Sequence, residues 1–398
     1  MKFWVNLRKI FFSVIFSILT LLFPNIVNAQ TVNSWTFTAP TQNLSIHGNN
    51  FYPVAMSSDG KYMYSAAHAQ GLYISLDYGK TWNATPNFIP QDYWGLISSA
   101  DGHFVAGIGT SGLIVTSSDY GQNFTDRTMG TPLQNIHWGT ITADSTAQNI
   151  FVGSQVVGGS PGAGAYVSHD SGVTWTQVNG LPTDQTYWAS ASSADGKYVY
   201  FAGLYDGIYS SSDYGVTWTK SLAPASGYLG LKTSADGKYL LAAMGDSNYL
   251  QSTDYGLTWN QTTLPGNQQF YDSAISATGQ YQALVSWAGD IFTSIDYGQT
   301  WVNQTQGKAG SGLNYPFAAM SANGQYILAS TENMDLWVGE NDSVIAEQSN
   351  PTSTGPKSPN TGNGSYIDKS FSSFYVIGFI SVLTVSLIIV RYRIKQTR

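Results

Sequence analysis

The sequence predicts an all-β architecture. It reads as a seven-bladed β-propeller whose N-terminal strand closes the last blade, followed by a disordered stalk and one C-terminal transmembrane helix. Three observations carry that reading. An octapeptide with Asp at its third position occurs six times, at Asp77, Asp119, Asp170, Asp213, Asp254 and Asp296, spaced by 42, 51, 43, 41 and 42 residues. A period near that value is the length of one four-stranded blade. A tight-turn marker of the Asp-Gly type recurs seven times ahead of these octapeptides. The last is an apolar run from Phe371 to Val390.

In chain order, residues 1–29 have a basic start (Lys2, Arg8, Lys9), an apolar run from Ile10 to Phe23, and Val27-Asn28-Ala29. This pattern suits a secretory signal peptide removed before Gln30, because the run is short for a membrane span and Pro24 interrupts it.

Residues 30–340 form the repeat. Its first complete octapeptide is Ser75-Leu76-Asp77-Tyr78-Gly79-Lys80-Thr81-Trp82. The turn markers are Ser58-Asp59-Gly60, Ala100-Asp101-Gly102, Ala143-Asp144-Ser145, Ala194-Asp195-Gly196, Ala235-Asp236-Gly237, Ala277-Thr278-Gly279 and Ala322-Asn323-Gly324. Seven markers against six octapeptides leave one outer strand missing, and Ser34-Trp35-Thr36-Phe37 matches the Thr-Trp-x-x strand that follows each octapeptide. The N-terminal strand is therefore expected to complete the last blade beside residues 321–339. Strands are lettered a to d within a blade; in the second blade, a is Trp94 to Ser99, b is Phe104 to Gly107 and c is Leu113 to Ser117. The a–b turns and octapeptides then share one face, and the b–c and d–a loops share the other. The third blade carries one long Gly-rich b–c loop, 156–164.

Residues 341–370 shift to Ser, Thr, Pro, Asn and Gly, too poor in apolar side chains to offset their ordering entropy, and read as a stalk. Residues 371–390 then suffice, at 1.5 Å per residue, to cross a hydrocarbon core of about 30 Å. Residues 391–398 hold Arg391, Arg393, Lys395 and Arg398, which the positive-inside bias keeps in the cytoplasm with everything before them outside. Secretion through the Sec route and retention at the cell surface follow as expectations.

Composition bounds the function. The chain has no Cys, which excludes a disulfide scaffold. Seven of its 17 basic residues lie at the extreme ends, leaving ten against 24 acidic ones. So acidic a surface repels phosphate backbones, and nucleic acid is not an expected partner. His47, His68, His103, His137 and His169 have no metal-ligand spacing, no nucleophile or phosphate-loop motif is present, and no cofactor or metal is expected.

The octapeptide resembles the Asp box, Ser-x-Asp-x-Gly-x-Thr-Trp. The family with this repeat includes sialidases, xyloglucanase-type glycosidases, the sortilin receptor ectodomain and photosystem II assembly factors, all propellers. Six copies of one carboxylate, one per blade, read as structure: each Asp can accept bonds from its own turn, and the Trp packs beneath. The resemblance implies no sialidase activity, since three carboxylate-binding arginines are required and Arg127 is the only arginine outside the termini. Ser358-Pro359-Asn360-Thr361-Gly362, followed by spacer, helix and basic tail, resembles a sortase sorting signal. That resemblance implies cleavage between Thr361 and Gly362 and covalent attachment to a cell wall, with sortase as a partner; the alternative is a plain membrane anchor.

Candidate ligand-binding residues are the aromatics at the start of strand a in every blade: Tyr52, Trp94, Trp138, Trp188, Tyr228, Tyr271 and Tyr315. They either ring the channel mouth as a stacking platform or pack as wedges between blades. Asp206, Asp246, Asp290, Glu332 and Asp335 of the b–c loops, with Asp92 and Asp272 of the d–a segments, make the same mouth acidic. The expected function is a monomeric, non-enzymatic surface binding or adhesion module for a glycan or protein. The alternative is a glycoside hydrolase using a carboxylate pair from Asp92, Asp206, Asp246, Asp272, Asp290 and Glu332.

Overall fold

In the computed structural model the described residues are 33–39 and 51–344, less 68–70, 86–87, 90, 110–111, 158–161, 267, 288, 309 and 333–334. The expected signal peptide, the stalk beyond residue 344, the sorting motif with Thr361 and Gly362, the apolar run 371–390 and the basic tail lie outside them. Among the described residues no helix is long and apolar enough to cross a membrane.

Among the described residues there are seven four-stranded antiparallel sheets. Six are built from consecutive strands. The seventh places Trp35–Thr38 beside Trp337–Asn341, with Trp35 opposite Asn341 and Thr38 opposite Val338. The expected strand exchange is therefore the observed one. It is held by packing as much as by the ladder: Trp35 is 3% exposed, in a cluster with Ala283, Val285 and Trp337. Ser34 Oγ donates to Asp342 at 2.7 Å, while Gln304 Nε2 of the sixth blade reaches the Asn33 carbonyl at 3.1 Å. Both described ends of the chain emerge on the octapeptide face.

Each octapeptide folds as one self-satisfied turn. In the first, Ser75 Oγ donates to Asp77 at 2.9 Å, and Asp77 also accepts from the Thr81 amide at 2.8 Å and the Thr81 hydroxyl at 2.7 Å. Trp82 Nε1 donates to the Gly79 carbonyl at 2.9 Å. The hydroxyl and amide of Thr174 hold Asp170 down to about 2, and those of Thr217 likewise lower Asp213. In Asp77, Asp119, Asp254 and Asp296 partial burial is the largest single influence and pushes upward, yet the summed hydrogen bonds outweigh it and these too lie low.

The Tyr inside the turn links neighbouring blades. It takes a left-handed φ of 62° at Tyr78 and 59° at Tyr120, and stacks on the a–b turn of the preceding blade. Ring centroids are 4.8 Å apart for Tyr62–Tyr120, 4.7 Å for Tyr198–Tyr255, 4.9 Å for Tyr239–Tyr297 and 5.2 Å for Tyr326–Tyr78. The a–b turn in turn presses its Gly against that tyrosine: a Cβ on Gly324, at φ 71°, would lie 2.3 Å from the Tyr281 ring. Only a residue without a side chain fits there.

A closed circle of backbone hydrogen bonds runs beneath these turns. The amide of Ser58 donates to Ala100, Ala100 to Ser145, Ser145 to Ala194, Ala194 to Ala235, Ala235 to Ala277, Ala277 to Ala322, and Ala322 back to Ser58, all at 2.7–2.9 Å. The third blade reaches the circle in its own way. Asp144, aligned in the sequence with the Asp of the other markers, instead occupies the position of the preceding Ser and accepts from Thr146, Gln148 and Asn149. Ala147 takes the left-handed position that Gly holds elsewhere, at φ 54°.

Candidate functional site: the channel mouth

Strand a lines the central channel and enters it through a β-bulge. The ladder slips between Phe51 and Val54, Tyr93 and Gly95, Trp138 and Thr140, Tyr187 and Ala189, and Phe270 and Asp272. A bulge puts adjacent residues to different uses. The residue before it, like its counterparts Tyr228 and Tyr315 in the two blades whose ladders do not slip, is a wedge between blades: Phe51, Tyr93, Trp138, Tyr187, Tyr228, Phe270 and Tyr315 are all buried. Their polar tips tie down the loop just traversed. Tyr93 donates to the Ile89 carbonyl at 3.0 Å, Tyr187 to Pro182 at 2.8 Å, Tyr315 to Gly310 at 2.7 Å, and Tyr228 to Pro224. Trp138, Tyr228 and Tyr315, expected at the mouth, are thus fully buried and out of a ligand's reach.

The residue on or after the bulge behaves differently. Trp94, Trp188 and Phe317 line a channel cavity of about 280 Å³ together with Pro53, Gly139 and Leu229. Tyr52 meets Trp94 with ring centroids 5.8 Å apart and Phe317 at 6.3 Å; Phe317 meets Tyr271 at 6.3 Å, and Tyr271 meets Trp287 at 5.4 Å. Trp94 of the second blade reaches Trp188 of the fourth at 6.1 Å, because the third blade offers only Gly139 between them. Six half-buried rings, Trp287–Tyr271–Phe317–Tyr52–Trp94–Trp188, thus form a continuous arc of contacts, of which Phe317, Trp94 and Trp188 line the cavity. Four belong to the expected set. Phe317 and Trp287 were missed; Phe317 stands two residues past the buried Tyr315, and Trp287 ends strand b of the sixth blade (Gln282–Trp287).

The expected acidic rim divides by partner. Asp206 bonds to Lys220 at 2.6 Å and to the Tyr209 hydroxyl, and these, Lys220 first, hold it below the usual carboxylate range. Asp246 accepts from the Asn248 amide at 2.8 Å and its side chain at 2.9 Å. Asp290 accepts from Asn303, Thr305 and Ser311 at 2.8, 3.0 and 3.0 Å. Asp335 is buried. Asp272 lies inside strand a of the sixth blade (Gln269–Ile275), not in the preceding loop, with Lys232 Nζ of the fifth blade at 2.9 Å and the Ala318 amide of the seventh at 3.1 Å. Gly230 leaves room for it, since a Cβ there would sit 2.5 Å from Asp272 Oδ1. One carboxylate thereby joins three blades inside the channel.

Glu332 is the acid that meets the arc. Tyr52 donates to its Oε1 at 3.1 Å and Asn314 Nδ2 to its Oε2 at 2.8 Å. Burial first, then Glu332, pushes the Tyr52 phenol up to about 12; burial, Asp272 and Glu332 also raise Tyr271. Asp92 contributes to the same field at Tyr52. Among the described residues no three His, Asp or Glu side chains converge where they could hold a metal ion; His47 and His68 lie outside those residues.

No family model matches the chain, and no curated protein matches it. Solved structures do. YCF48 bound to D1 peptide is similar with a TM-score of 0.60 at 16% identity, over 78% of this chain and 98% of that one. YCF48 from Cyanidioschyzon merolae is similar with a TM-score of 0.58 at 12% identity, over 77% and 98%. The GH74 xyloglucanase from Xanthomonas campestris gives 0.61 at 14% identity over 77% of this chain and 54% of that one, so the chain spans about half of that enzyme. At such identities the likeness is one of fold alone, the bladed propeller.

Proposed function

We propose that this chain is a non-enzymatic binding propeller, displayed outside the cell, that receives a segment of another protein at its aromatic mouth. The observation that carries the reading is the arc of six half-buried rings, three of them lining a cavity, assembled from residues that the repeat does not dictate. Aromatic side chains that keep exposed surface around a concavity bring large contact area at small entropic cost. A protein of similar fold, YCF48, has been solved with a peptide bound. The signal-like start, the stalk composition and the apolar run 371–390 support secretion and anchoring, and the chain leaves the ring on the face opposite the mouth. Ser358-Pro359-Asn360-Thr361-Gly362 supports wall attachment by sortase; mass spectrometry of envelope-released protein then finds a C-terminus at Thr361, whereas an intact Arg398 would leave a plain membrane anchor.

Glycan binding and glycoside hydrolysis form the competing reading, motivated by the likeness to a xyloglucanase fold. Hydrolysis needs one carboxyl kept protonated opposite a second that is ionised. Three of the six candidates are committed elsewhere: Asp206 to Lys220, Asp272 to Lys232, and Asp290 to three donors. The deciding experiment screens the full chain on peptide and glycan arrays with Trp94→Ala and Trp188→Ala beside it. Peptide signals lost in both variants support the proposal. Polysaccharide turnover abolished by a single Asp→Asn change replaces it with the hydrolase.

A further inference from the structure

We infer that the mouth recognises a cationic group, the side chain of a lysine or arginine in the bound segment, enclosed by Tyr52, Trp94 and Phe317 and facing Glu332. This rests on the reading of the mouth as a peptide site and deepens it. The first argument is ring orientation. Tyr52 meets Trp94 at 72° and Phe317 at 62°, and Phe317 meets Tyr271 at 75°. Rings set edge to face form the walls of a cup, whereas a flat sugar needs an open, level face to lie on. A cup of aromatic faces concentrates negative quadrupole potential at its centre, where an ammonium or guanidinium is attracted.

The second argument is charge balance. Lys232 is the only basic residue lining the cavity among the described residues, and Asp272 neutralises it. Glu332 spends its bonds on neutral donors, the Tyr52 phenol and the Asn314 amide, so its charge is undiminished and points toward the arc. A carboxylate has about four acceptor sites, two of which these donors occupy. The phenol that donates to Glu332 also leaves its own ring more electron-rich, which strengthens the same attraction. Guest and host are then complementary in sign as well as shape.

The test titrates the full chain with three capped pentapeptides, Gly-Gly-X-Gly-Gly, where X is lysine, Nε-acetyllysine or norleucine, following tryptophan fluorescence. The lysine peptide is expected to bind about ten-fold more tightly than the acetyllysine one. Glu332→Gln should weaken the lysine peptide several-fold more than the norleucine one, and Tyr52→Phe should weaken the lysine peptide less than Tyr52→Ala, because the ring remains while the phenol that enriches it is lost. Should Glu332→Gln disturb folding, the wild-type salt dependence serves instead: affinity for lysine falls with ionic strength and that for norleucine does not. Equal binding of lysine and acetyllysine, both lost in Trp94→Ala, overturns the cationic inference and spares the peptide site. Absence of any saturable response sensitive to Trp94→Ala overturns both.

Discussion

The two faces of the ring are made by opposite rules. On the octapeptide face nearly every blade repeats the same chemistry: a Ser–Asp–Thr bond set, a left-handed Tyr, a Gly seated on the preceding blade's tyrosine, and one link in a closed backbone circle. At the mouth the corresponding positions are Tyr52, Trp94, Gly139, Trp188, Leu229, Tyr271 and Pro316, the last followed by Phe317, and no two neighbouring blades agree. Repetition marks what every blade needs in order to stand beside the next. Departure from it marks the face where the proposed ligand, which is not seven-fold symmetric, would be met.

If that division is right, variants on the two faces separate by stability. The largest loss is expected at the closure. Trp35→Ala removes a buried ring that fastens the first strand to the last blade and should cost about 3–5 kcal/mol, seen as a lowered unfolding midpoint and early proteolysis; a midpoint near wild type would mean that the ring does not depend on strand exchange. Gly324→Ala comes next, at roughly 2–3 kcal/mol, since φ 71° and the Tyr281 ring leave no space for a methyl group. Acid is milder. The six turn carboxylates have folded pKa values below their unfolded ones, so the stability they provide is whole above the ordinary range near 4 and is lost as pH falls toward the folded values, about 2 for Asp170. The melting temperature should fall through that window and fall less in Asp170→Asn; a flat profile there would deny the turns their role. Smallest is the mouth: Trp94→Ala and Trp188→Ala should shift stability by about 1 kcal/mol or less while removing the binding signal, and a global collapse would return these rings to the packing of the core.

The parts readable in the sequence are those that recur. Period, turns and the orphan strand at Trp35 define the ring without any coordinate, because each blade is one more measurement of the same pattern. The mouth is different, since a one-residue slip decides whether an aromatic faces a neighbouring blade or the channel. Trp138 looks like Trp94 and Trp188, yet it aligns with Tyr93 and Tyr187 and is buried with them. Phe317 follows a buried tyrosine by two residues and hides behind it. Asp144 misleads likewise: the letters match the marker, and only the bonds reveal that the turn is set two residues later.

The backbone circle through Ser58, Ala100, Ser145, Ala194, Ala235, Ala277 and Ala322 acts as a hoop of fixed circumference. With links close to the 4.8 Å spacing of paired strands, it measures about 11 Å across between backbone centres, and it cannot dilate without giving up main-chain bonds. The seven amides of the hoop should exchange with deuterium as a single cohort, slowly and together.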